Sequence, residues 1–432
     1  MLTDVLVPHN RWDSVTGYPR QEPAVTVVVT HFEQHHLLGR MASALQRQTL
    51  RPSQVVLADD GSAVTPAFAV RGVETLVVSQ PDEGFRAAAV RNLAVRHSTG
   101  DVLVFLDADT VPEAEYVERV VHHIGLCPDV LAVGRRRHTS FSRLADDEQP
   151  GDADALDEPP WLRDAYAATE NLLNADGRSF RFVIGAVMAC RKELFLDLDG
   201  FDERFVGYGG EDWDFAYRAW NAGAVLVHER TAVAWHDGPD WSGRGDSTDV
   251  LDAQSARLAA VIPEPATRGA PLAGVVFDVL ATVRADGPFN HVVRTVHSLL
   301  RQDHRDLGIR LPVDDERLLE TYEGVVRVAP WTEDQARRAR VHLTVHGPLP
   351  VSAVHRAVES ITGSDVGRVD LVQEGELLAV AWSTRAVGRA RRWAHRFERH
   401  EVLRRAFGVH RIDLGAREER GRTLEGFFSS WR

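Results

Sequence analysis

Lysine is almost missing from this chain. Lys192 is the only one in 432 residues, and arginine supplies the rest of the positive charge. Chemistry built on a lysine base, a Schiff base or a phosphate-loop lysine is thereby excluded, unless Lys192 performs it. Cysteine is scarce too. Cys127 and Cys190 have neither metal-site spacing nor a disulfide framework, so a reducing, cytoplasmic setting is expected. The opening stretch MLTDVLVPHNRWD lacks the basic and apolar regions of a signal peptide. No run of about 18 apolar residues occurs, so no integral membrane segment is expected. The net charge of −13 argues against a general nucleic-acid binder.

What is present is a rhythm of strands and helices. AVTVVVTHFEQ (24–34) is a Val-rich run that reads as a buried strand. An amphipathic helix follows at 36–48, then strands at 54–62 and 73–80, a helix at 83–98 and a strand at 100–112. A helix is expected at 113–125, a strand at 130–138, a strand and short helix within 181–195, and a strand pair within 224–238. Residues 144–160, acidic and proline-containing, read as a mobile loop. Such alternation implies an α/β fold whose parallel sheet binds ligands at the carboxyl ends of its strands.

Pattern and composition place a leader at 1–22, a first α/β domain at 23–262, a linker at 263–271 and a second α/β domain at 272–432. The second half echoes the first. SLLRQDHRDLGIRLPVDD (298–315) lines up on SALQRQTLRPSQVVLADD (43–60), and 341–361 resembles 102–124. A diverged, non-catalytic copy is expected, because Val345-His346-Gly347 stands where the first half has Asp107-Ala108-Asp109.

Four features carry chemistry. ADDGS places Asp59 and Asp60 after a buried strand, as an Asx turn or as acceptors for a base or ribose. LDADT sets Asp107 and Asp109 two apart at the end of VLVFL, where mutual repulsion favours a shared hard cation such as Mg²⁺ or Mn²⁺. His236, in VAWHDG, offers imidazole to such a site. GGEDWD puts Glu211 and Asp212 behind Gly209 and Gly210, where a fixed carboxylate can act as general base. Asp214 and Arg218 are spaced for a structural pair, and Trp213 falls on an apolar stripe that favours core packing.

Taken together, VVVTHFEQ, VVLADDGS, GFRAAAVRNLA, VLVFLDADTVP, GGEDWDFAYR and AWHDG make residues 23–240 resemble a family 2 glycosyltransferase of the GT-A fold, that is, a Rossmann-like, mostly parallel sheet flanked by helices. GGEDWD also resembles an element of galactosyl- and N-acetylgalactosaminyltransferases. The resemblance implies a metal-dependent, inverting hexosyltransferase moving a sugar from a nucleotide-sugar donor, commonly a UDP-sugar, to a hydroxyl of a sugar, glycoconjugate or small-molecule acceptor. By the same resemblance, Thr30, His31 and Glu33 border the nucleotide, Asp59 or Asp60 binds the base, and Arg91 and Asn92 line the nucleotide side. Asp107 faces ribose or metal, Asp109 and His236 bind Mn²⁺ or Mg²⁺, Asp212 is the base, and Glu211 contacts a sugar beside Gly209 and Gly210.

The first strand ends VTHFEQ rather than the common Pro-Thr-Tyr-Asn, and the QxxRW-type element of processive synthases is absent. Two other readings stand beside this one. A sugar nucleotidyltransferase would need a Gly-rich loop with Arg and Lys after the first strand, and THFEQHHLLGR is not that. An inactive nucleotide-sugar-binding or scaffolding protein would bind without transferring.

Overall fold

The computed structural model describes residues 4–15, 17–19, 22–145, 148–239, 248–271, 276–313, 315–363, 365–416 and 424. They divide into two units: Met1–Trp220 with Ala224–Leu258, and Asn221–Gly223 with Ala259–Arg432.

The first unit is built on eight strands: β1 (Val25–His31), β2 (Gln54–Asp59), β3 (Glu74–Ser79), β4 (Val102–Asp107), β5 (Thr110–Pro112), β6 (Val130–Thr139), β7 (Met188–Arg191) and β8 (Val225–Asp237). Their order across the sheet is β3-β2-β1-β4-β7-β6-β8-β5. β1, β2, β3 and β4 run parallel. β7 is antiparallel to both β4 and β6, and β5 is antiparallel to β8. The sheet is therefore mostly parallel, as expected. The continuous Val and Leu runs of β1, β2 and β4 are buried because helices cover the sheet. The helix Leu38–Gln46 turns Leu38, Met41, Ala44 and Leu45 inward. Gly100 passes so close to β1 that a Cβ there would lie 2.5 Å from the Thr26 backbone nitrogen.

Several expectations need correction. The stretch 224–238 is one thirteen-residue strand, not a pair. The helix expected at 113–125 is two short ones, Tyr116–Val120 and His122–Leu126. The leader packs into the first unit: Asn10 donates to Leu172 O and Leu226 O, and Asp4 pairs with Arg191 at 2.6 Å. Residues 263–271, expected as a linker, belong to the second unit. There Glu264 caps the helix Pro265–Arg268, and Arg268 is buried against Asp306 at 2.9 Å. The described part of 144–160 is tethered: Arg40 donates to the carbonyls of Ala145 and Glu148, and Leu156 bridges to His138.

The second unit carries β9 (Val279–Val283), β10 (Leu307–Arg310), β11 (Val341–Val345), β12 (Val366–Gln373), β13 (Glu376–Ser383) and β14 (Gly408–Asp413), ordered β10-β9-β11-β13-β12-β14. β9 lies between parallel β10 and β11; β13 is antiparallel to β11 and β12; β14 is parallel to β12. The run β2-β1-β4-β7-β6-β8 of the first unit has the same sequence of orientations. Its own core includes Val292, Leu299, Leu343 and Leu371. Val341 sits opposite Val279 as Val102 sits opposite Val25. Asp314, one of the closing Asp pair in the sequence alignment, lies outside the described residues.

Candidate active site

Ladder register brings the chemistry to one edge. Thr30 of β1 is opposite Asp107 of β4, and His31 is opposite Asp59 of β2. Arg91, on the helix Ala87–Arg96, reaches this edge from below and ties three elements together. Its Nε donates to Thr30 Oγ1 at 3.1 Å, Nη1 to Glu211 Oε1 at 2.8 Å and Nη2 to Asp107 Oδ1 at 2.8 Å. Burial alone would discourage its charge, but the carboxylates of Asp107 and Glu211 outweigh that and raise its pKa.

Glu211 and Asp212 open the helix Glu211–Asn221. The turn before it needs glycine, since Gly209 and Gly210 have φ of 83° and 96°. A Cβ on Gly210 would lie 3.0 Å from Phe205, and one on Gly209 would lie 2.9 Å from Gln254. Below, Asp214 is fully buried and accepts from Arg218 Nε at 2.8 Å. Arg218 also donates to the carbonyls of Leu198 and Gly200, fixing the helix on the 198–203 loop. The Asp214–Arg218 pair expected from the spacing is thus present.

Asp212 Oδ2 accepts the Gly185 N–H at 3.0 Å, and Oδ1 accepts the Trp213 N–H at 2.8 Å. Burial and the neighbouring Glu211 carboxylate push its pKa upward, against the pull of those N–H groups and Arg91. A carboxylate with a raised pKa at a site edge is suited to proton transfer. Gly185 was not anticipated: a Cβ there would lie 3.2 Å from Asp212 Cβ and 3.3 Å from Arg91 Nη1. Trp213 is not a core residue. It is half-buried beside Asp212 and meets exposed Trp161 edge-on, with Phe182 beyond.

Asp109 and His236 face each other because Thr110 pairs with His236 across β5 and β8. Asp109 Oδ2 lies 3.7 Å from His236 Nε2 and accepts from Gln34 Nε2 at 3.0 Å. Ligand bonds near 2.1 Å put adjacent ligands of a cation roughly 3–4 Å apart, so this separation fits one shared divalent ion. Among the described residues, no three His, Cys, Asp or Glu side chains are gathered as a ready-made cation site. Asp107 Oδ1 instead accepts from Arg91 Nη2.

The expected nucleotide residues frame the site. Asp59 accepts from His31 Nδ1 at 2.8 Å and from Ser62 Oγ at 2.6 Å. Burial keeps His31 neutral against the pull of Asp59. Asp60 accepts from Gln80 Nε2 at 2.6 Å and from the Arg86 N–H at 2.8 Å, while burial pushes its pKa up. Glu33, at φ 55°, accepts from the Ala63 N–H. Asn92 is placed elsewhere than expected. Its amide holds Phe201 through both N–H and C=O, and also donates to Glu203.

Residues 26–198 match the family model of glycosyl transferase family 2, and residues 176–230 match that of the N-terminal domain of galactosyltransferase. The chain is similar to chondroitin synthase of Escherichia coli, at 26% identity over 54% of this chain and 37% of that one. It is similar to hyaluronan synthase of Pasteurella multocida, at 24% over 81% and 38%. It is also similar to validoxylamine A glucosyltransferase of Streptomyces hygroscopicus subsp. limoneus, at 30% over 50% and 51%. The matches span about half or less of the length of these curated relatives.

Proposed function

We propose that this chain, whose residues 26–198 match glycosyl transferase family 2, moves a sugar from a nucleoside diphosphate sugar to an acceptor hydroxyl with inversion, with Asp212 as the base. The observation that carries this reading is the position of Asp212. Its carboxylate has a raised pKa, is held by two backbone N–H groups, and sits next to the Arg91–Asp107–Glu211 cluster at the carboxyl ends of β1 and β4.

In this account the acceptor O–H gives its proton to Asp212 as its oxygen attacks the anomeric carbon. The bond from that carbon to the diphosphate oxygen breaks on the opposite face, so configuration inverts. Glu211, locked by Arg91, presents its second oxygen to a sugar hydroxyl. Trp213 and Trp161 offer flat apolar faces beside the base, suited to stacking on an acceptor ring. Asp109 and His236 would hold Mn²⁺ or Mg²⁺, which when bound supplies positive charge to the departing diphosphate. UDP is the favoured nucleotide by family resemblance. His31, Asp59 and Asp60 stiffen the loops around the base, so one of their present hydrogen bonds would be exchanged for direct contact with it.

We further propose that the second unit is a non-catalytic copy of the first. Its six strands repeat the order and orientations of six in the first unit, while Val345-His346-Gly347 stands where the sequence comparison puts Asp107-Ala108-Asp109. The test is Asp212→Asn. Transfer should fall roughly 10²–10⁴-fold with donor affinity kept, since general-base loss costs about that much. Transfer within about twofold of wild type would overturn Asp212 as the base, and no transfer by the wild type with any donor would leave a binding or scaffolding role.

A further inference from the structure

A cavity of about 710 Å³ lies in the first unit, and none of the side chains discussed above lines it. It falls inside the usual range of small-ligand sites, roughly 300–1,000 Å³. Its walls are β6, β8, the helix Pro160–Ala168 and Trp12. The floor is unusual. Glu170, Asn171 and Leu172 have φ of 51°, 57° and 67°, three consecutive left-handed residues without a glycine. Such residues cost on the order of 1–2 kcal/mol each, so the surrounding structure must hold them there.

What they position is His228. Its backbone N–H donates to Asn171 O at 3.1 Å, and its Nδ1 meets Asn171 Oδ1 at 2.9 Å. With an amide oxygen as partner, Nδ1 bears the proton and Nε2 is left as an acceptor. The ring lies flat on Tyr166, centroids 3.5 Å apart and 5° from parallel. Burial, helped by Arg135 and Arg230, holds the His228 pKa down to about 3, so the ring is neutral. His228 is 6% exposed, yet Nε2 has no partner among the described residues. Trp12 Nε1, on another wall of the cavity, has none either.

One buried donor and one buried acceptor without partners match the two faces of a hydroxyl. Charge gives the second clue. Four arginines, 135, 136, 163 and 230, line the cavity against two glutamates, 158 and 170. Glu158 satisfies Arg135 at 2.5 Å, and Arg163 pairs with Asp164. Arg230 makes no hydrogen bond or ion pair with a described residue.

We propose that this cavity binds an acidic saccharide, its hydroxyls taking the Trp12 N–H and the His228 lone pair and its anionic group meeting Arg230. The site is distinct from the donor edge and does not depend on the catalytic reading.

The test uses the full chain and three probes, followed by tryptophan fluorescence and calorimetry: a trigalacturonic acid, its methyl ester and inorganic sulfate. The acid should bind wild type, and the ester should bind at least about tenfold more weakly. Arg230→Ala should lose about tenfold with an unchanged melting temperature, as expected for one charged hydrogen bond. Asp109→Ala should bind the acid as wild type does. The proposal is overturned if the acid fails to bind at millimolar concentration, or if acid and ester bind alike. It is overturned equally if Arg230→Ala has no effect, or if Asp109→Ala removes binding, which would put the ligand at the donor edge. Sulfate binding as tightly as the saccharide would mark a bare anion site and remove the saccharide.

Discussion

Arg91 Nη1 donates to Oε1 of Glu211 at 2.8 Å, across 120 residues of sequence. The bond makes one unit of two distant segments: the helix behind the first strands and the turn that presents Asp212. The same guanidinium holds Asp107 at 2.8 Å, so two carboxylates depend on one buried cation.

Removing that cation should therefore cost both fold and function. Arg91→Ala leaves the buried Glu211 carboxylate and the half-buried Asp107 carboxylate without their shared cation, and breaking a buried pair typically costs about 3–5 kcal/mol. Urea titration should show a loss of that order, with donor binding lost as well. Arg91→Lys keeps the charge but not the fork, and should recover stability better than binding.

The acidic limb of the transfer rate should lie well above pH 4, near which an ordinary aspartate titrates. Asp212 must be ionised to accept a proton, and burial beside Glu211 raises its pKa. Activity is therefore absent below the raised pKa and grows as pH rises through it. In Glu211→Gln the neighbouring negative charge is gone, so the limb of the residual activity should move to lower pH. A profile already flat from about pH 5 would contradict this assignment.

Gly210→Ala should destabilise by roughly 1–3 kcal/mol, because it combines a left-handed φ with a close contact on Phe205. Gly185→Ala has no such backbone strain. Its added methyl would press between Asp212 and Arg91, so it should slow transfer more than it lowers the melting temperature.

Asn92→Ala should act on stability rather than on nucleotide affinity. Three hydrogen bonds to the 201–203 loop are lost, and each buried group left without a partner costs about 1–3 kcal/mol. Chemical denaturation and donor titration together separate the two effects.

Much of this was legible in the sequence, for local reasons. β1, β2 and β4 are uninterrupted Val and Leu runs, and their carboxyl ends announce Asp59, Asp60, Asp107 and Asp109. β8 misled because Glu229-Arg230-Thr231 looks like a turn. The ladder shifts there between Gly134 and Arg135, and the polar residues bulge out while the strand continues. Strand direction was not legible: nothing in MACR says that β7 runs against its neighbours. Arg91 stands out as a candidate from its motif, but its reach to Glu211 depends on tertiary packing. Trp213 falls on a helical apolar stripe, and only the structure shows it half-buried against Trp161 rather than in the core. Gly185 and Gln34 have no sequence signal at all, since each acts through one contact with a residue far along the chain.

The most direct measurement is a thermal-shift panel of nucleoside diphosphate sugars, with and without Mn²⁺, on wild type and Asp109→Ala. A donor held at 100 times its Kd should stabilise by about 2.7 kcal/mol. The account predicts a Mn²⁺-dependent rise with one donor, foremost a UDP-sugar, that disappears in Asp109→Ala. No shift with any donor, or a shift that survives unchanged in Asp109→Ala, would contradict it.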